Sequence, residues 1–184
     1  MALKEYNKKR VFSKTPEPTA GRSASRKLQF VVQEHDASRL HYDFRLEMDG
    51  VLKSWAIPKG PSLNPQDKRL AMRVEDHPFD YKDFEGIIPE GNYGAGGVII
   101  WDQGMYEPLE KKGSKKEQEK ELLKELKSGS LKFRLSGKKL KGEFALVHIK
   151  NNRQKGDNAW LLIKHKDEFA SDADITKKAK SVHS

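Results

Sequence analysis

The sequence predicts an all-β protein, mainly an antiparallel β-barrel, with one surface helix near residues 114–128 and an extended N-terminal arm. Short apolar or alternating segments recur along the chain, and turns rich in Gly, Pro, Asn and Asp separate them, as is typical of all-β folds. Only one stretch has the residue spacing of an amphipathic helix. A closed barrel would also offer a ligand or metal site at one mouth of its interior.

The chain has 184 residues and is most simply one domain with extended ends. We expect a basic arm with little regular structure over residues 1–27, a single barrel domain over residues 28–170 and a flexible tail over residues 171–184. Within the barrel, strands are predicted at residues 28–33, 39–48, 51–57, 70–74, 98–101, 131–135, 142–149 and 160–164.

Turn signals separate these segments. Residues 36–38 form a short polar turn, and Asp49-Gly50 is a turn dipeptide, so the first three strands are predicted to form two hairpins. The proline-rich residues 58–68 form a loop, the glycine-rich residues 86–97 form tight turns, and Gln103-Gly104 reads as a further turn.

The predicted helix has matching signals at both ends. Ser114 and Glu117 have the spacing of a capping box, and Gly129 stands where a helix ends. Its apolar stripe is narrow and the rest is Lys or Glu, which favours a surface helix without catalytic content.

Charge and composition limit the class of protein. The net charge of +9 and the isoelectric point near 9.5 favour an acidic partner, most commonly nucleic acid, although lysine-rich surfaces also serve solubility alone. The absence of cysteine excludes disulfides, thiolate zinc sites and a cysteine nucleophile. The sequence shows neither a secretory signal nor an apolar run of about 20 residues, and we expect a cytoplasmic protein without a membrane span.

The alternating segment 39–48 carries the strongest functional signal. Apolar side chains occupy every second position, while the other face presents His41, Asp43 and Arg45 in a line, roughly 7 Å between neighbours. A hairpin would bring His35 to the same end of the strand. Two imidazoles and a carboxylate are common ligands of Mn²⁺, Co²⁺, Zn²⁺ or Fe²⁺. A His-x-Asp pair taken alone favours a solvated or structural role, whereas the addition of His35 and of Arg45 on the same face favours a metal site.

Other side chains point to phosphate chemistry, each with an alternative. The Arg45 guanidinium suits a bidentate phosphate contact, or else a salt bridge to Asp43 or Glu47. His77, restricted by the following proline, can be a general acid or a cationic phosphate contact, or else a loop residue that binds a backbone carbonyl. Tyr81 can donate to a phosphoryl oxygen or belong to the core.

Lys59 and Arg69 flank the proline-rich loop, and either can hold a nucleic-acid backbone. The glycine cluster at residues 86–97 lacks the Gly-Lys-Ser/Thr ending and the strand-to-helix setting of a phosphate-binding loop. His148 and His165 have no partners at ligand spacing and are predicted to be structural.

Long segments of this sequence resemble a known family. The segments FVVQEHDASRLHYDFRLEMDGVLKSWAIPKGPS, RLAMRVEDHPFDYKDFEGIIPEGNYGAGGVIIWDQG and FSKTPEP are similar to the 3′-phosphoesterase module of bacterial DNA ligase D, which also occurs as free-standing bacterial and archaeal proteins. The similarity continues more loosely through LKGEFALVHIK and WLLIKH. The resemblance implies a compact β-barrel and a manganese-dependent esterase. Met1 favours a free-standing member over an excised domain.

The resemblance also implies roles for individual residues. Metal ligands would fall on His35, His41 and Asp43. Phosphate and transition-state contacts would fall on Arg45 and His77, with Tyr81 nearby. The supporting polar residues would be Gln33, Lys59, Arg69 and Glu75, together with Lys14 and Glu17 in the arm.

The function expected from the resemblance is the healing of 3′ ends of a primer–template. A phosphodiesterase step would remove a 3′-terminal ribonucleoside, and a phosphomonoesterase step would then remove the 3′-phosphate to leave a 3′-hydroxyl. Mn²⁺ is the expected cofactor, with Co²⁺ or Zn²⁺ as alternatives, and an end-joining ligase or polymerase is the expected partner of a monomer. Two rivals remain open from the sequence: a non-catalytic basic nucleic-acid-binding barrel, and a metal hydrolase of small phosphate esters.

Overall fold

The structure is a computed structural model that describes residues 3–12, 15–18, 27–110, 113–150 and 157–177. Its strands are β1 Gln29–Asp36, β2 Leu40–Met48, β3 Val51–Ile57, β4 Lys68–Pro78, β5 Gly86–Ile88, β6 Gly96–Pro108, β7 Ser130–Ser136, β8 Lys141–His148 and β9 Ala159–Lys164. Its α-helices are α1 Lys4–Lys8 and α2 Lys115–Ser128, and a 3₁₀ turn spans Phe79–Asp83. None of the helices in these ranges is long and apolar enough to cross a membrane.

Eight strands close into an antiparallel barrel. They follow the order β1-β2-β3-β4-β9-β8-β7-β6, and β6 pairs back to β1 to complete the ring. The short β5 adds to β6 beside the ring. The predicted all-β barrel with a surface helix is confirmed.

The first predicted hairpin is present. His35 lies opposite His41, and Gln33 lies opposite Asp43, because the three-residue turn between β1 and β2 is short. Since both strands alternate, these four side chains share one face of the sheet.

The barrel interior is filled by apolar side chains. Phe44 and Trp55 pair across β2 and β3 and pack with Phe133, Phe144 and Trp160 from the rest of the ring. On β2 the polar residues alternate with the apolar ones, so the predicted site faces away from this interior. The expectation of a site inside a barrel mouth is therefore wrong, because aromatic rings already occupy the interior.

A second apolar cluster covers the outer face of β1–β3. Its buried members come from the N-terminal arm, from β3, from the 3₁₀ turn and its flank, and from β5 and β6, and they are Tyr6, Leu52, Phe79, Tyr81, Phe84, Ile88 and Val98. The polar face of β2 consequently lies in a cleft between the barrel wall and this cover.

The N-terminal arm is more structured than predicted. Residues 4–8 form α1, and Tyr6 is fully buried with its hydroxyl donating to the carbonyl of Pro18. The expected arm without regular structure is wrong for this stretch, because one aromatic side chain in a basic run anchors it to the barrel. Lys14 lies outside the described residues.

Gln103-Gly104 is not a turn. Both residues lie within β6 and pair with Val31 and Phe30 of β1. A Cβ atom at Gly104 would lie 2.1 Å from the backbone oxygen of Ser136. This glycine therefore marks a close approach of two backbones rather than a change of chain direction.

The C-terminal residues 171–177 lie against the barrel. The Ser171 N–H donates to the Leu63 carbonyl, and Ile175 packs on the main core. The predicted flexible tail thus does not describe these residues, and residues 178–184 lie outside the described part of the chain.

Helix α2 has the predicted ends. The Ser114 hydroxyl accepts a hydrogen bond from the Glu117 N–H at 3.2 Å, and Gly129 adopts a left-handed conformation with φ of 88°. Leu122 and Leu126 are buried against the barrel core, which explains the narrow apolar stripe.

Glu125 on this helix makes stability depend on pH. Burial raises the pKa of its carboxyl to about 7, and the carboxylates of Glu121 and Glu110 add to the rise, although the Lys132 N–H opposes it. Because the folded state holds this proton more tightly than the unfolded state does, the associated stability is complete below about pH 4.5 and is lost as the pH rises through 7.

Glu125→Gln should therefore raise the melting temperature at pH 8 by about 2 °C, the partial exposure of the side chain keeping the effect small. At pH 4.5 the increase should disappear. Thermal melts at both pH values test this, with the exposed Glu168→Gln as a charge-matched control. An equal change at both pH values would show that Glu125 does not hold the raised pKa.

Candidate active site

The outer cleft contains a cavity of about 270 Å³. Four parts of the chain converge on it: the arm, the β1–β2 hairpin, the end of β4 with the 3₁₀ turn, and the loop before β6. The polar side chains that line it are Arg10, Glu17, His35, His41, Asp43, Arg45, Glu75, His77, Tyr81 and Tyr93.

His35, His41 and Asp43 form a compact cluster at this cavity. One ligand atom from each lies within 4.8 Å of the others. The His35 Nδ1 is 3.4 Å from Asp43 Oδ2, and the His41 Nε2 is 3.2 Å from Oδ1. The hairpin thus folds His35 back to the strand, as the register requires.

Backbone carbonyls orient both imidazoles. The carbonyl of Gly94 accepts a hydrogen bond from His35 Nε2 at 2.7 Å, and the carbonyl of Arg39 accepts from His41 Nδ1 at 3.3 Å. In each ring the remaining nitrogen faces the same carboxylate. This second layer of hydrogen bonds is typical of metal-ligating histidines, because it fixes the tautomer and the ring plane.

The electrostatics of the cluster favour a bound cation. Burial alone would raise the pKa of Asp43, but the Arg45 guanidinium and hydrogen bonds from His35 and His41 hold it far below its usual range. The pKa of His41 is raised, since Asp43 outweighs the effect of burial. Asp43 is therefore a buried carboxylate anion. The two imidazole nitrogens that face it donate to it when they are protonated, and they offer lone pairs to a metal cation when they are not.

The donor set fits a divalent transition metal. Two imidazole nitrogens and one carboxylate oxygen are ligands shared by Mn²⁺, Fe²⁺, Co²⁺ and Zn²⁺. The cluster can accordingly hold a metal ion, as the sequence predicted, and this set of ligands does not distinguish among these metals.

Arg45 is held rigidly beside the cluster. Its Nε donates to Gln33 Oε1 at 2.7 Å, and its Nη2 lies 3.4 Å from Asp43 Oδ2. Gln33 in turn donates to the carbonyls of Tyr81 and Phe84. The Arg45 guanidinium also lies 4.8 Å from the Tyr81 ring centroid.

One guanidinium nitrogen of Arg45 has no hydrogen-bond partner among the described residues. This nitrogen is Nη1, and it is buried. An unpaired buried guanidinium nitrogen is costly, and at this cavity Nη1 is free to donate to an oxygen of a bound anion. The salt bridge considered for Arg45 from the sequence exists with Asp43, whereas Glu47 pairs with Lys115.

His77 is buried beside two arginines. Burial, followed by the charges of Arg45 and Arg10, lowers its pKa well below the usual value. Its Nδ1 donates to the Glu75 carbonyl at 2.9 Å, and its Nε2 accepts from Arg10 at 3.3 Å. A cationic phosphate contact by His77 is therefore disfavoured, and the hydrogen bond from Arg10 occupies the lone pair of its Nε2.

The arm contributes one residue that sequence reasoning missed, Arg10, beside the predicted Glu17. Arg10 reaches the site by donating to Glu17 at 2.8 Å and to Glu75 at 3.3 Å. Glu17 also accepts from the Tyr81 hydroxyl at 2.9 Å. Tyr81 therefore packs in the second apolar cluster with its ring and reaches the polar site with its hydroxyl. Arg10 is the last residue of a basic run, and no local pattern distinguishes it from its surface neighbours.

Lys59 and Arg69 lie elsewhere. Together they line a different cavity of about 480 Å³, formed by the ends of the proline-rich loop. Arg69 Nη2 is 3.5 Å from Asp67 Oδ2. The structure thus brings these two residues together without placing them on the cavity of the metal cluster, and their role in substrate binding stays a prediction.

A known protein family matches more than half of this chain. Residues 33–148 match the model of the DNA Ligase D 3′-phosphoesterase domain. The chain belongs to this family. The matched range includes the three candidate metal ligands, Arg45 and His77, but it excludes the arm that supplies Arg10.

Individual relatives of this 3′-phosphoesterase family match over nearly the whole chain. The multifunctional non-homologous end joining protein LigD of Pseudomonas aeruginosa is 50% identical over 175 residues, which cover 94% of this chain and 19% of the relative. The LigD proteins of Mycobacterium tuberculosis and Mycolicibacterium smegmatis are each 42% identical over 168 residues, or 90% of this chain. The chain spans about a fifth of the length of these relatives.

Proposed function

We propose that this chain is a metal-dependent 3′-end-healing phosphoesterase, with Mn²⁺ as the cofactor. The observation that carries the proposal is the buried, unpaired Nη1 of Arg45 next to the His35, His41 and Asp43 cluster. A small cavity with a metal-ligand set and a free guanidinium donor suits a phosphoryl group, because both neutralise its oxygens.

The proposed reaction has two hydrolytic steps. Water first attacks the phosphorus of the 3′-terminal phosphodiester, and the bond from phosphorus to the 5′-oxygen of the terminal ribonucleoside breaks. The nucleoside leaves with a 5′-hydroxyl, and the strand keeps a 3′-phosphate. Water then attacks that phosphate and releases inorganic phosphate, which leaves a 3′-hydroxyl.

The residues have distinct parts in this proposal. A divalent cation on His35, His41 and Asp43 would stabilise the negative charge that develops on the phosphoryl oxygens. Arg45 would hold one of these oxygens through Nη1. His77, whose Nε2 lone pair accepts from Arg10, would hold the Arg10 guanidinium at the cavity beside the phosphoryl group.

The remaining predicted residues would support these groups. Gln33 would position Arg45, Tyr81 would support its guanidinium, and Glu17 and Glu75 would hold Arg10. Lys59 and Arg69 would contact the nucleic-acid backbone away from the metal cluster.

The relatives are named end joining proteins, and the +9 charge favours nucleic acid. We infer that the substrate is the 3′ end of a DNA or RNA/DNA primer–template strand and that the protein acts as a cytoplasmic monomer beside an end-joining ligase or polymerase. Backbone contacts by basic side chains would make binding weaken steeply with salt.

The test is hydrolysis of a primer–template that ends in one ribonucleotide, with Mn²⁺ and with chelator. We expect a 3′-phosphate product followed by a 3′-hydroxyl product, and neither with chelator. Binding without product under several divalent metals would instead favour the non-catalytic nucleic-acid-binding barrel. Turnover restricted to small phosphate esters would favour the other rival, since such an enzyme has no need of a basic surface.

A further inference from the structure

We propose that Tyr93 stacks on the base of the terminal ribonucleoside and that the groove beside the metal cavity holds this leaving nucleoside. This inference rests on the proposed function and adds the place where its leaving group binds. The loop that carries Tyr93 was assigned to tight turns from the sequence, and the proposed mechanism does not use its side chain.

Tyr93 is an exposed aromatic residue at the rim of a buried site. Tyr81, the other tyrosine that lines the cavity, is almost fully buried, whereas 49% of the Tyr93 surface is accessible. The next residue, Gly94, accepts the hydrogen bond from His35. The hydrogen bond between Gly94 and His35 therefore fixes the backbone next to Tyr93 close to the candidate metal ligands, while the Tyr93 ring stays partly exposed.

Cations from the arm support the ring. The Lys9 Nζ lies 4.8 Å from the ring centroid, and the Arg10 guanidinium carbon lies at 5.5 Å. Such contacts restrain the ring without enclosing it. A restrained and partly exposed aromatic side chain is the kind of platform on which proteins stack nucleobases, because every base has an apolar face.

A groove of about 680 Å³ adjoins the metal cavity and shares Tyr93, Glu75 and Val74 with it. Its volume falls within the range of about 300–1,000 Å³ that is usual for small-molecule sites, whereas the metal cavity, at about 270 Å³, falls below it. The smaller space suits a phosphate, and the larger one suits a nucleoside attached to it.

The charge of the groove favours a neutral occupant. Its lining includes three cations and three carboxylates: Lys4, Lys9, Arg73, Glu5, Glu75 and Asp76. A track for further phosphates would be strongly basic. The nucleoside that leaves when the bond from phosphorus to its 5′-oxygen breaks carries no charge, so it matches a balanced groove.

The test compares two substrates with the same strand, one ending in a ribonucleoside and one ending in a 3′-phosphate. In Tyr93→Ala we expect the ratio of the KM for the ribonucleoside-terminated strand to that for the 3′-phosphate strand to rise by about 5- to 100-fold, the range that loss of a base–aromatic stack produces. Tyr93→Phe should restore the ratio, since it keeps the ring. Phe169→Ala, which removes another exposed aromatic side chain, should leave the ratio at its wild-type value.

A third substrate, with an abasic terminal ribose, separates stacking from a structural effect. Wild-type protein should lose affinity for it as Tyr93→Ala does for the normal strand, and Tyr93→Ala should be insensitive to the missing base. An equal rise of KM for all three substrates, a weaker Mn²⁺ affinity in Tyr93→Ala, or an unchanged KM ratio would each overturn the inference. Absence of turnover by the wild-type protein with metal would instead refute the proposed function.

Discussion

Replacing Asp43 with asparagine is expected to weaken metal binding by at least about 100-fold and to abolish both hydrolytic steps. Asparagine keeps the shape of the side chain and one oxygen, but it removes the negative charge toward which His35 and His41 point. The carboxylate is nearly fully buried and is the acceptor shared by both imidazoles and by Arg45. No other group in the described part of the cluster supplies that charge.

Titration of Mn²⁺ binding, together with the primer–template assay, measures this effect. Asp36→Asn is the matched control, because Asp36 ends the neighbouring strand β1 with an exposed side chain. Circular dichroism before the assay establishes that Asp43→Asn is folded, since loss of a buried charge partner can cost about 3–5 kcal/mol of stability. Wild-type metal content and activity in a folded Asp43→Asn protein would refute the ligand assignment.

Replacing Arg45 with lysine is expected to slow both steps by at least about 100-fold while metal binding is retained. Lysine keeps the charge beside Asp43, so the metal cluster keeps its electrostatic partner. It cannot donate at once to Gln33, to Asp43 and to a phosphoryl oxygen in the planar geometry of a guanidinium. The loss should therefore appear in the rate of hydrolysis rather than in the affinity for metal.

Single-turnover rates at saturating Mn²⁺, measured for each step, distinguish these quantities. Arg134→Lys provides the control, because Arg134 is a partly exposed arginine that pairs with Glu107 and Glu143 on the barrel surface. If Arg45→Lys hydrolyses both substrates at the wild-type rate, the unpaired Nη1 has no part in phosphate binding.

Local patterns in the sequence were sufficient to predict which side chains lie together at the centre of the candidate site. The period-two alternation of β2 and the short turn before it placed His35, His41 and Asp43 together, and the structure has this register. Helix α2 was equally predictable, since the Ser114 cap and Gly129 act within a few residues. Gly104 was misread because a glycine forced by a close backbone approach has the same letter as a glycine in a turn.

The amino-acid sequence was thus enough to predict a β-barrel, a group of side chains that can hold a metal ion and the arginine next to it, because strand alternation and turn chemistry are local properties. The three-dimensional fold was needed to show that the site lies on the outer wall, that Arg10 reaches it and that burial lowers the pKa of His77. These features depend on contacts between distant segments, such as Arg10 with His77 across 67 residues and His35 with Gly94 across 59. Such contacts cannot be predicted from the periodicity of the sequence, because they form only when the arm and the loops pack onto the filled barrel.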